Sequence, residues 1–180
     1  MVTFAVPDKI TAEEIRTIRR KLGLTRAEFA RLVNVSKKTV ERWETGEREI
    51  GGPIAALVKL LWEYPQMKEE LTVPDKKYPL RLWYMEGSRV CTIIDVDERF
   101  RKVKVHNYTK DYIARAFGKE ENPDFEAYEA FLESRCFPRS RDKMKLTLRE
   151  LDLPFYEPLL IIEKTQGRMA EDDFWIQIER

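Results

Sequence analysis

The chain has 180 residues, 43% of them hydrophobic, with four Trp and nine Phe, which is enough apolar material for one or two cored domains. Its formal net charge is only +1, so any polyanion partner must be recognised through local placement of charge rather than a global basic field. No apolar run approaches the roughly 20 residues of a membrane span and no signal-peptide pattern opens the chain, so a cytoplasmic protein without membrane association is expected.

Residues 1–9 form a short lead-in. Thr11 with Glu14 then writes a capping box, starting a helix that runs to about Leu22 and stops at Gly23. Ile15, Ile18 and Leu22 give that helix its buried stripe, while Arg16, Arg19, Arg20 and Lys21 crowd the other side. That basic side reads equally as a solvated face or as one turned to phosphates.

A second capping box, Thr25 with Glu28, opens a short helix whose inner face is Phe29, Ala30, Leu32 and Val33. Asn34-Val35 breaks the pattern, and Ser36 caps a further helix with Val40 and Trp43 on one side. Lys37, Lys38, Thr39 and Arg42 fall on the other. Two short helices joined by a tight turn, the second carrying long polar side chains near its start, describe a helix-turn-helix.

These residues carry a resemblance. Thr25-Arg-Ala-Glu-Phe-Ala, Val35-Ser-Lys-Lys-Thr-Val and Trp43-Glu-Thr-Gly are similar to the Cro/repressor (XRE) class of helix-turn-helix proteins. Through Gly52-Pro53-Ile-Ala-Ala-Leu-Val-Lys-Leu-Leu and Tyr64-Pro-Gln-Met the likeness is to the antitoxin branch, of the HigA and MqsA types. It covers about the first 70 residues. It implies base contacts from Lys37, Lys38, Thr39 and Arg42, and phosphate contacts from Thr25, Arg26 and Ser36 on double-stranded DNA. Arg26 stands where that class often has Gln, placing a charge where an amide is usual.

Pro53 suits a first helical turn, and Ile54, Leu57, Val58, Leu60, Leu61 and Trp62 make the following helix strongly apolar. Such a helix either fills the centre of the N-terminal domain or supplies part of a homodimer seam. From about Met67 to Tyr78 the chain is charged and punctuated by Pro74, with Pro79 just after, so residues 71–79 read as a linker between domains at 1–70 and 80–180.

Beyond it, Arg89-Val-Cys-Thr-Ile-Ile-Asp-Val and Phe100-Arg-Lys-Val-Lys-Val-His-Asn-Tyr read as an antiparallel hairpin, with Lys102, Lys104 and His106 on a wet face. A helix starts near Asn122-Pro-Asp-Phe with a core stripe of Phe125, Tyr128, Phe131 and Leu132. Another begins near Ser140 with Met144, Leu148 and Leu151. Residues 159–163 form a shorter piece, 165–168 a turn, and Phe174-Trp-Ile-Gln-Ile a last packed segment. The expected architecture is an α-helical helix-turn-helix domain followed by an α+β domain with a β-hairpin and helices.

The densest charge cluster, Arg135-Cys-Phe-Pro-Arg-Ser-Arg-Asp-Lys, offers Arg135, Arg139 and Arg141 as a clamp for an anionic protein partner. An internal ion-pair network with Asp142, Glu150, Glu171, Asp172 or Asp173 explains the same residues. Arg135-x-x-Pro138-x-x-Arg141, closing on Asp173-Phe-Trp-Ile, also resembles a small domain in or beside HipA-like proteins of mobile elements, which implies no chemistry.

Cys91 and Cys136 lack metal-ligand spacing and read as reduced thiols, a disulfide between them staying open. His106 is the single histidine, no glycine pattern cradles a nucleotide, and no nucleophile–base pair shows, so neither catalysis nor a cofactor is expected. Two functions are compatible with these residues. One is a dimeric repressor or autorepressor on a palindromic operator. The other is a protein-binding effector, antitoxin- or anti-CRISPR-like, whose helix-turn-helix represses its own operon.

Overall fold

The computed structural model describes every residue except Met1, Glu47 and Arg141. It divides into two compact units, residues 1–73 and 74–180, each with a hydrophobic core of its own.

In the first unit, β1 (Lys9–Ile10) leads into α1 (Ala12–Lys21), followed by α2 (Arg26–Leu32) and α3 (Lys37–Thr45). Then come β2 (Ile50–Gly51), α4 (Pro53–Glu63) and α5 (Met67–Leu71). Both capping boxes form. The Glu14 N–H donates to the Thr11 hydroxyl while the Glu14 carboxylate accepts from the Thr11 N–H at 2.7 Å, and Thr25 and Glu28 repeat the pattern. α1 ends at Gly23, whose φ of +65° is the left-handed conformation that glycine adopts without a side-chain clash. Ile15, Ile18, Phe29, Val40, Ala55 and Leu61 meet in the centre. β1 pairs antiparallel with β2, pinning the chain ahead of α1 to the segment ahead of α4. Residues 67–71, expected as charged connection, make a one-turn helix whose Met67 packs on this core.

The second unit is a four-stranded antiparallel sheet in the order β5-β4-β3-β6. Its strands are β3 (Leu80–Glu86), β4 (Arg89–Asp97), β5 (Lys102–Asn107) and β6 (Phe174–Glu179). The helices are α6 (Phe125–Ser134), α7 (Met144–Glu150) and α8 (Pro158–Thr165). The expected hairpin is β4–β5, with Val105 opposite Ile94 and Lys104 opposite Asp95. It is half of the sheet: β3 lies against β4, and the tail strand β6 closes the other side of β3, with Tyr84 opposite Ile176. Leu82, Tyr84, Ile94, Val96 and Ile176 form one core with Tyr128, Phe131, Leu132, Ile161 and Ile162 of the helices.

The opposite side of the sheet holds a buried ion pair. Arg81 forks onto Asp95 at 2.6 and 2.9 Å, and the Lys77 N–H donates to the same carboxylate at 2.6 Å. Residues 74–79 are thus fastened to the sheet of the second unit.

Candidate nucleic-acid interface

The geometry of α3 follows from its cap and its inner face. The Ser36 hydroxyl accepts from the Thr39 N–H at 3.1 Å and lies 2.8 Å from the Thr39 hydroxyl. Val40 and Glu44 are buried and Trp43 is half-buried, fixing the rotation of the helix about its axis. Lys38 and Arg42 therefore face outward and are exposed, Lys37 is exposed at the helix start, and Thr39 is half-buried. Lys37 has a loose surface pairing with Glu41 at 3.6 Å, too exposed to hold it. The turn between α2 and α3 is set by Asn34 at a φ of 54° and by the Val35 N–H donating to Ala30 O at 2.9 Å.

What locks the three helices together is Glu44, 1% exposed. Its carboxylate accepts from Arg19 Nε on α1 and from Arg26 Nε on α2, each at 2.5 Å, and its backbone carbonyl accepts from Arg16 at 2.6 Å. Burial pushes the Glu44 carboxyl up, but the hydrogen bonds from Arg19 and Arg26 outweigh it and hold it below the usual carboxylate range. This residue was not among those singled out from the sequence. Its partners lie 25 and 18 residues away, so no local spacing announces it.

Of the residues expected at phosphates, two are helix caps and one pairs with Glu44. Thr25 and Ser36 cap α2 and α3, and both are exposed. Arg26 is tied through Nε to Glu44, yet 45% of its side chain stays exposed. The basic side of α1 is largely committed inside the unit. Arg16 and Arg19 hold Glu44, and Lys21 donates to Trp62 O at 3.1 Å with its ammonium 4.5 Å from the Trp62 ring centre. At the far end of α3, Arg42, Trp43, Gly46, Arg48, Glu49 and Ile50 line an open cavity of about 600 Å³. Arg48 adds a second exposed guanidinium beside Arg42 that the sequence reading passed over.

The arginine cluster of the second unit is arranged differently from a clamp. Arg135 is only 7% exposed and forks onto Asp172 at 2.6 and 2.9 Å. It also donates to Gly167 O and Phe174 O, each at 3.0 Å. With every edge of the guanidinium occupied, Arg135 is not available to a partner. It ties the end of α6 to the turn before β6. Arg139 is exposed and paired with Glu133 at 2.7 Å, and Arg141 lies outside the described residues. In the acidic run at 171–173, Asp172 is the counter-ion of Arg135, and the hydrogen bond from Arg135 holds its carboxyl below the usual range.

Cys91 and Cys136 are free, buried thiols. Burial raises both, Cys136 to about 12, which suppresses the nucleophilic thiolate. His106 is exposed on β5 with its ring centre 4.6 Å from that of Tyr108. Among the described residues, no helix is long and apolar enough to cross a membrane.

Comparison with known proteins bears on the first unit. A family model described as helix-turn-helix matches residues 15–58, the span from α1 into α4. Antitoxin HigA-2 of Vibrio cholerae is 37% identical over 57 residues, which are 32% of this chain and 55% of that protein. A Pyrococcus furiosus protein named as an HTH-type transcriptional regulatory protein is 32% identical over 60 residues, 33% of this chain and 19% of that one. The chain thus spans about half the length of the first relative and about a fifth of the second.

Proposed function

With a helix-turn-helix domain of the XRE type at residues 15–58 as its premise, we propose that this chain is a sequence-specific DNA-binding transcriptional regulator. It acts as a repressor or autorepressor, binding a palindromic operator as a dimer. The observation carrying this reading is the rotation of α3. Val40 and Glu44 are buried, Lys38 and Arg42 are exposed together on the opposite side, and Lys37 and Thr39 flank that side in the first turn, Lys37 exposed and Thr39 half-buried.

In this account α3 lies in the major groove. Arg42 donates bidentately to a guanine, Lys37 and Lys38 reach base edges or phosphates, and Thr39 contacts the rim of the groove. Thr25, Arg26 and Ser36 sit where the sugar–phosphate backbone passes and fix the register. One short helix reads only a few base pairs, so specificity requires two copies with half-site centres about 34–36 Å apart. Part of the dimer surface is α4, where Leu60 and Trp62 are 45% and 41% exposed.

The similarity to an antitoxin favours a second reading, in which the 74–180 unit binds a protein partner and the helix-turn-helix represses the operon that encodes both. Of the expected partner-facing arginines, Arg139 is the described one that keeps an exposed side chain.

Selection from randomised duplexes, followed by sedimentation of the best complex, tests the first reading. It predicts an inverted repeat with two copies bound. Recovery of no preferred sequence would overturn it.

A further inference from the structure

Residues 2–7 precede β1 without regular secondary structure and lie outside both cores. Val2, Phe4 and Val6 are apolar side chains of this arm. They are 78%, 74% and 46% exposed, apolar groups turned to water.

Beside the root of the arm lies an apolar cavity of about 240 Å³, lined by Pro7, Ile10, Glu14, Val58, Lys59 and Trp62. Both charged groups at its rim are already engaged. Glu14 closes the capping box with Thr11 at 2.7 Å, and Lys59 pairs with Glu63 at 2.5 Å. Apart from these two groups the walls of the cavity are hydrocarbon and indole. Its fitting occupant is an apolar side chain.

We propose that the occupant is Phe4 of a second copy, the two chains exchanging arms reciprocally. The arm's own chain is a poor source. Pro7 forms part of the cavity wall and fixes its own φ, while Val6, as the residue before a proline, is held extended. The chain therefore leaves the cavity straight, and bringing Phe4 back requires a reversal at Ala5–Val6 where the backbone resists one.

Area is consistent with two copies. An aromatic side chain buries about 150–250 Å², and the exposed fractions of Phe4, Val2 and Val6 set the rest. Two reciprocal exchanges, counting arm and groove, then cover roughly 750–1,300 Å², approaching the ~1,200 Å² where stable interfaces begin.

This inference rests on the dimer reading above, and the experiment separates them. Full-length chain and its Phe4→Asp variant are compared by sedimentation equilibrium. The variant homodimer lacks both rings of the reciprocal exchange, so dimerisation should weaken about 10²- to 10⁴-fold. An unchanged dimer overturns arm exchange and leaves the dimer reading intact, whereas a wild-type chain monomeric at every concentration overturns both. A tagged Phe4→Cys chain is also mixed with an untagged Lys59→Cys chain under mild oxidation, the native thiols being buried. A mixed disulfide of the combined mass is expected. Its absence, with an internal disulfide in the Phe4→Cys/Lys59→Cys double variant, would place the arm in its own cavity and sink the proposal.

Discussion

Replacing Glu44 by Ala should cost the first unit far more than any exposed substitution, because of what the carboxylate leaves behind. Breaking a buried ion pair from one side typically costs about 3–5 kcal/mol. Two features lower that figure here. The Arg26 side chain is 45% exposed and can turn to water, and Arg19, 14% exposed, keeps its bond to Leu24 O at 2.9 Å. We expect a loss of about 2–4 kcal/mol. For a domain this size each kcal/mol moves the midpoint by about 4–8 °C, so the melting of the first unit should fall by roughly 8–32 °C. Glu44→Gln keeps the volume and one acceptor and should lose about half as much. The assay is native-state hydrogen exchange resolved by residue, because amides of α1–α4 should lose protection together while those of the sheet in the second unit keep theirs. A loss under about 0.5 kcal/mol, the level of an ordinary surface change, would refute the role assigned to Glu44.

Acid should destabilise both units through the same kind of group. The Glu44 and Asp172 carboxyls are held below their ordinary values of 4.5 and 3.8, so their stabilisation is complete at neutral pH. It falls as pH drops below those ordinary values and is lost as pH passes the lowered ones. Urea titrations between pH 7 and 3 should show that decline, flattened in Glu44→Gln, and stability that rises on acidification would contradict it. Gly167→Ala should destabilise the second unit by about 2–3 kcal/mol, read as a lower urea midpoint. Gly167 has a φ of +60°, and a Cβ there would lie 3.3 Å from Arg135 Cβ and Ile176 Cδ1. A fragment of residues 1–73 should keep nearly the full slope of log affinity against log salt per bound protomer, about 0.9 per phosphate contacted. A halved slope would mean that the second unit touches phosphates.

Much of the first unit was legible because its signals are local. Thr11 with Glu14, Thr25 with Glu28, and Ser36 each place a helix start within three residues, and Pro53 does the same for α4. The sheet was half legible. β4 and β5 alternate cleanly or run apolar, whereas β3 reads Leu-Arg-Leu-Trp-Tyr-Met with large side chains on both faces. Its outer side is occupied by the buried Arg81–Asp95 pair and by Trp83, whose indole N–H donates to Glu179 at 3.0 Å, so the polar–apolar period is blurred. The tail strand β6 pairs with β3 across some 90 residues, a distance no short pattern spans. The same holds for the charged groups. Lys38 and Arg42 follow from helical periodicity, while Glu44 with Arg26 and Arg135 with Asp172 exist only once the chain has folded.

The central claim is that the outward side of α3 reads DNA bases. Its most direct test is the base-preference profile of Arg42→Ala measured against wild type across every single substitution of the selected operator. The account predicts that discrimination at one guanine per half-site, about 1–3 kcal/mol, collapses while preference elsewhere persists. A profile unchanged at every position would contradict it.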